Sequence, residues 1–289
     1  MVIEVSTKSD LESLSGKSIS EDVVIRNDID FGGDEFEPIR EMGGNFDGNG
    51  YKIRDFSITQ LEGVEPVGFI RVSKSSIEGL NLRDISVKGR WKTGGLIGAN
   101  YGDIKDCSVE GRIEGNEKTG GLVGWDDSKE AFSDSGGTIK NCEVDVCVRS
   151  TGNQIGGIVG HNRGAEIVES SVKGEVSGDK IVGGLVGFNW KSIRGCSSLD
   201  TEVEGFNMIG GLCGWCSVRD GDIVVNCSHR GKINRTEGDV DGKVMVGNIF
   251  GYPHDSRIED CYWIELEENE YGAFGEDYEN VKRIEQRQE

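Results

Sequence analysis

A Gly-Gly-aliphatic-aliphatic-Gly motif returns along this chain at nearly constant spacing, and no other feature narrows the fold as far. It begins at Gly94 (GGLIG), Gly120 (GGLVG), Gly156 (GGIVG), Gly183 (GGLVG) and Gly210 (GGLCG), with degenerate copies at Val67 (VGFIR) and Gly247 (GNIFG). Successive starts differ by 27, 26, 36, 27, 27 and 37 residues. A second landmark keeps the same phase: Ile77-x-x-Leu80, Ile104-x-x-Cys107, Ile139-x-x-Cys142, Ile167-x-x-Ser170, Ile193-x-x-Cys196, Val224-x-x-Cys227 and Ile258-x-x-Cys261. Self-similarity at such a period is the signature of a stacked-repeat architecture. The two long intervals hold polar, turn-rich insertions, DDSKEAFSDSG at 126–136 and NRTEGDVDGK at 234–243, which read as loops.

Between the landmarks apolar residues alternate, as in IKDCSVEGRIEG, where Cys107, Val109, Gly111 and Ile113 fall on one face and Ser108, Glu110 and Arg112 on the other. That is strand periodicity, and a unit of short strands buries its apolar face only against copies of itself. At about 3.3 Å per residue one unit makes a loop of roughly 90 Å, enough for about three short faces, and each coil advances about 4.8 Å. The expected fold is an all-β, right-handed parallel β-helix, a solenoid of about seven to eight coils roughly 35 to 40 Å long. Composition agrees with a lean stack. Only 35% of residues are hydrophobic, and the 45 glycines against 3 prolines mark glycine as positional. The cysteine column is expected to point inward as reduced, structural thiols.

The units GGLIGANYGDIKDCSVEGRIEG and GGLVGFNWKSIRGC resemble GLUG-motif repeats, over roughly residues 45 to 263. The segment DVVIRNDIDF…PIREMGGNFDGNGYKIRDFSI resembles the usual lead-in to such arrays. The resemblance implies a β-helical fold and a place in surface adhesins, accessory regions of secreted peptidases, or viral or archaeal surface proteins; it implies no catalytic residues.

The expected organisation is an N-terminal cap and lead-in at 1–44, the solenoid at 45–263 and an acidic C-terminal tail at 264–289 that docks. Ser9 with Glu12 reads as a capping box opening a short helix that covers the open strand edges.

With 52 acidic against 32 basic side chains the formal charge is −20, which argues against nucleic-acid or membrane-surface binding and suits a high-salt host. No run of 18 apolar residues or leader pattern is present, so neither a membrane span nor general secretion is expected. Cys213-Gly-Trp-Cys216 has metal or redox spacing, but Cys213 sits in an aliphatic slot of the repeat and reads as core. DGNG at 47–50 and GDVDGK at 238–243 read as turns rather than calcium loops. His161, His229 and His254 form no triad pattern, and no metal or cofactor is expected.

One further column follows the motif: Ala99, Trp125, His161, Phe188, Trp215 and Tyr252. Facing out, the column is an aromatic ladder of the sort that stacks sugars; facing in, it is core. Arg71 occupies the slot held by Gly98 or Gly124, so that slot is expected to face solvent and the aromatic column, by alternation, the core, unless the glycine breaks the strand. The candidate recognition residues are Trp125 and Trp215 on this column, Trp190 close to it, and Asp126, Asp127, Phe132, Asp239 and Asp241 in the two loops. The expected role is non-enzymatic: a structural and receptor- or glycan-recognising component of a virus particle such as a tail fibre, spike or turret of a halophilic archaeal virus. It is expected to assemble as a homo-oligomer with other virion proteins. The alternatives are a cell-surface adhesin and, third, a polysaccharide-active enzyme.

Overall fold

The computed structural model describes residues 2–127, 137–218, 221–237, 244–254, 256–264 and the backbone of 284–287. From Trp91 onward each coil passes through four parallel sheets in a fixed order. In one coil these are a short strand Ile104–Lys105 in the first sheet, a long strand Ser108–Gly115 in the second, Glu117–Gly120 in the third and Val123–Asp126 in the fourth. Among the described residues every pairing is parallel and links equivalent residues of successive coils, as in Ile77, Ile104, Ile139, Ile167, Ile193, Val224 and Ile258. This is a parallel β-helix, and the repeat period in the sequence is its coil.

The stack is longer than the motif count implies. Among the described residues the fourth sheet has nine strands and the first has ten, because strands Val2–Val5, Ser18–Ile19, Asp22–Ile25, Ile29–Asp30 and Ile39–Met42 of the lead-in already belong to the sheets. No sheet boundary falls at residue 45. These first coils lack the Gly-Gly motif and the third-sheet strand. Their interior is filled instead by Phe31, Phe36, Phe46, Phe56 and Phe69, with ring centroids 5.0 Å apart for the stacked Phe36–Phe69 pair. The short helix Lys8–Glu12 is capped by Thr7 and Asp10 rather than Ser9 and Glu12. Thr7 Oγ1 accepts from the Asp10 amide, and Asp10 Oδ2 from the Thr7 amide at 2.9 Å. The same Thr-x-x-acid logic applies two residues earlier, and it buries Leu11 against the end of the core. At the other end, the tail segment Ile284–Arg287 pairs with Cys261–Ile264 and adds a last strand to the second sheet.

Two columns set the corners. Before each cysteine slot stands a residue with positive φ: Asp106, Asn141, Glu169, Gly195, Asn226 and Asp260. The slot side chain then turns back onto the carbonyl two residues earlier, at 3.2 Å for Cys107 and Lys105, 3.3 Å for Cys142 and Lys140, and 2.9 Å for Ser170 and Val168. All eight cysteines are free thiols, and those of the column are buried as expected. The second close approach is at the Gly-Gly corner, where the third and fourth sheets pack backbone to backbone. A Cβ placed on Gly124 would lie 2.4 Å from the Lys92 carbonyl carbon, so only glycine fits.

Candidate functional site

That corner decides which way the neighbouring side chains face. Gly124 presses on the third-sheet strand of the preceding coil, so its slot is not a solvent face. Arg71, which shares the slot through its pairing between Ile70 and Val72, is half-buried with Nε enclosed and unbonded. The aromatic column next to it therefore does not enter the core. Trp125, His161, Phe188, Trp215 and Tyr252 pair in register along the fourth sheet and are each half-buried. The buried position is the following residue: Asn100, Asp126, Asn162 and Asn189 are all 0% exposed. Their side chains bond from coil to coil, Asn100 Nδ2 to Asp126 Oδ2 at 2.7 Å and Asn162 Nδ2 to Asn189 Oδ1 at 2.9 Å, a polar ladder inside the stack.

The aromatic rings make a continuous strip along the coils. His161 and Phe188 stack at 4.8 Å between centroids, Phe188 and Trp215 lie 5.3 Å apart, and Trp215 meets Tyr252 edge-on at 5.2 Å. Trp190 flanks Phe188 at 5.6 Å and is 41% exposed, with the Arg163 guanidinium 5.0 Å above its ring. Trp125 and Trp215 thus lie on one surface with Trp190 near it. Asp126 and Asp127, expected to be available for recognition, are buried: Asp126 is a rung of the polar ladder, and Asp127 sits 3.6 Å from Arg163. Phe132, Asp239 and Asp241 lie outside the described residues.

A second column borders the rings. Lys92, Lys118, Gln154, Ile181 and Met208, on the third sheet, all have positive φ and are half-buried. Each stands two residues before a Gly-Gly pair, a spacing readable in WKTGG, EKTGG, NQIGG, KIVGG and NMIGG that sequence reasoning passed over. Positive φ is costly for a β-branched residue such as Ile181, so the coil geometry, rather than side-chain preference, imposes it. Lys92 Nζ lies 3.8 Å from the Trp125 centroid and 5.3 Å from that of Trp91, and Lys118 Nζ is also 5.3 Å from Trp91. Burial, then the Lys118 ammonium, hold Lys92 below the usual lysine range against the pull of Asp127; burial likewise lowers Lys118. His161 is pushed down to about 3 by burial and by Lys118, Arg163 and Lys92, and its Nδ1 lies 2.8 Å from Gln154 Oε1. It is a neutral ring that donates to Gln154.

The other sequence motifs are structural. Cys213 pairs in the slot of Val186, and Cys216 accepts from Asn189 Nδ2 at 3.7 Å as the next rung of the polar ladder. Asp47 Oδ1 accepts from the Asn49 amide at 2.7 Å, which makes 47–50 a turn; 238–243 lies outside the described residues. Among the described residues no group of three or more His, Cys, Asp or Glu could hold a metal ion, and no helix is long and apolar enough to cross a membrane.

The GLUG motif matches at residues 89–114 and 151–177, each of which is one complete coil. Over 90 residues, 30% of the chain, the sequence is 36% identical to halomucin of Haloquadratum walsbyi, of which the match spans 1%. In crystal form, a Bacteroides ovatus protein provisionally named an immunoglobulin A1 protease shares the fold at a TM-score of 0.65, over 90% of this chain and 83% of that one, with 19% identity. At that identity the likeness concerns architecture alone.

Proposed function

Taking this chain as the GLUG-repeat β-helix that it is, we propose that it is a non-enzymatic, adhesin-type surface module whose stacked coils hold an aromatic ladder against carbohydrate. The observation that carries this reading is the ladder itself: half-buried rings, one per coil, in register from Trp125 to Tyr252. Rings held on a rigid scaffold offer stacking area at little entropic cost. The GLUG match and the likeness to halomucin support an extracellular or cell-surface place. The ladder favours binding over turnover, because its titratable ring, His161, is neutral and committed to Gln154. The virion, halophilic and oligomeric expectations draw no support from the fold or the relatives, so the surface-module reading takes their place.

The test is a glycan array probed with the purified chain and with Trp190→Ala, a change at an exposed ring that leaves the stack intact. Binding to a class of sugar chain that weakens about tenfold in the variant supports the proposal. Absence of binding across neutral and acidic glycans, or release of shortened products, overturns it.

A further inference from the structure

The sugar chain that fits this surface has a definite charge. The protein carries 52 acidic side chains against 32 basic ones, so a cation here ordinarily finds a carboxylate, as Lys105 does with Glu78 at 2.8 Å and Lys173 with Asp145 at 2.7 Å. Lys92 and Lys118 do not: among the described residues no carboxylate oxygen lies within 4.0 Å of either ammonium. Instead, both stand over Trp91, Lys92 also covers Trp125, and the Arg163 guanidinium stands over Trp190 on the same strip. Trp91 Nε1 and His161 Nε2 are enclosed there without a bonding partner.

Like charges gathered on a surface of opposite overall sign repel one another: after burial, the Lys118 ammonium lowers the proton affinity of Lys92, and Lys118 is lowered by burial and by Arg163 against the opposing pull of Glu117. The arrangement is graded along the stack: lysines border the rings near Trp125, while Ile181 and Met208 border them from Phe188 to Trp215. One end carries two ammoniums beside its rings, and at the other the bordering side chains of this column are apolar.

Resting on the carbohydrate reading above, we infer that the ligand is an acidic polysaccharide built of carboxylate-bearing sugars. It lies along the stack against the exposed part of Trp190 and the outward edges of Phe188 and Trp215, with a carboxylate at Lys92 and Lys118. A pyranose uronate suits both halves, since its C–H face stacks on an aromatic ring while the carboxylate projects from the ring edge toward a cation. Two ammoniums partly withdrawn from water, in a chain whose remaining field repels anions, confine a polyanion to this strip.

The experiment titrates the full chain with a polyuronate, polygalacturonate, and with an uncharged polysaccharide, at low and at moderate salt. It is repeated on Lys92→Gln/Lys118→Gln. Gln154 already occupies the same left-handed slot one coil on, so the variant keeps a side chain that this backbone accepts. A control pair, Lys105→Gln/Lys173→Gln, removes the same charge elsewhere. The expected result is that the polyuronate binds at least about tenfold more tightly than the neutral chain. In the platform variant polyuronate affinity falls to about that for the neutral chain, and the control variant retains the preference. Equal affinity for charged and neutral chains, or equal loss in both double variants, overturns the acidic-ligand inference while the carbohydrate reading stands. Failure to bind either polysaccharide overturns both.

Discussion

Ser170 repeats with a hydroxyl what Cys142 does with a thiol one coil earlier: its Oγ donates to the Val168 carbonyl at 2.9 Å, and Cys142 Sγ reaches the Lys140 carbonyl at 3.3 Å. The slot selects for a small side chain with a terminal donor, not for sulfur chemistry. Ser170→Cys should therefore change stability by less than about 1 kcal/mol, while Cys142→Ala costs about 1 to 2 kcal/mol and Cys142→Asp several, by burying an unpaired charge. Urea-denaturation midpoints of the three variants check the order.

Burial also sets the reactivity of the thiols. Cys107 is pushed up to about 12 and Cys142 higher still, both chiefly by desolvation, whereas Cys147 is only half-buried beside Glu175. Ellman's reagent at pH 8 should modify at most Cys147 in the native protein within minutes, and all eight cysteines once the chain is denatured without reductant. Fewer than three free thiols after denaturation would contradict the buried-thiol column.

His229 makes the carboxyl-terminal coils acid-sensitive. It is 1% exposed, its Nε2 has no partner, and burial holds it at about 4, below its ordinary value of 6.5. The folded state thus binds fewer protons than the unfolded one. The stability this contributes is complete above pH 6.5 and is lost as pH falls toward 4, by about 3 kcal/mol over that window. His229→Val installs the residue found at the equivalent Val172 and should flatten that part of the pH–stability curve, which thermal melts between pH 4 and 7 would show.

Two glycines separate steric from conformational need. At Gly124 an added Cβ meets the Lys92 backbone at 2.4 Å; at Gly50, with φ of +77°, it meets nothing within 4 Å. Gly124→Ala should cost about 3 kcal/mol or more by forcing the two sheets apart, and Gly50→Ala about 1 kcal/mol from backbone strain alone. Chemical denaturation compares them directly, and equal losses would contradict the close packing of the corner.

The coil was legible in the sequence because its two tightest constraints, the Gly-Gly corner and the Ile-x-x-Cys turn, recur at fixed phase. The first coils were not, because five phenylalanines fill them and neither landmark is needed there. The aromatic column was misplaced for a specific reason. The charge of Arg71 marks its slot as solvent-facing by residue type, but that slot lies against the backbone of the third sheet, so strict alternation has no valid reference there. Asp126 looked like a loop carboxylate because an insertion follows it, whereas its register with Asn100 and Asn162 makes it an interior rung. The Lys92 and Lys118 column was readable from its offset to the Gly-Gly pair. Nothing in residue type announced it, since lysine, glutamine, isoleucine and methionine share only a backbone conformation.

The one-ring-per-coil register from Trp125 to Tyr252 gives the molecule a length scale that grows by duplication. Each coil touches chiefly its neighbours, so inserting one more repeat extends the ladder by about 4.8 Å and adds one stacking contact without remodelling the rest. For a polymeric ligand, weak contacts in series combine as avidity, and holding strength becomes a steep function of how many coils the polymer spans. A lineage carrying such a chain can tune its grip by copying or deleting whole repeats, with no change to the chemistry of any single ring.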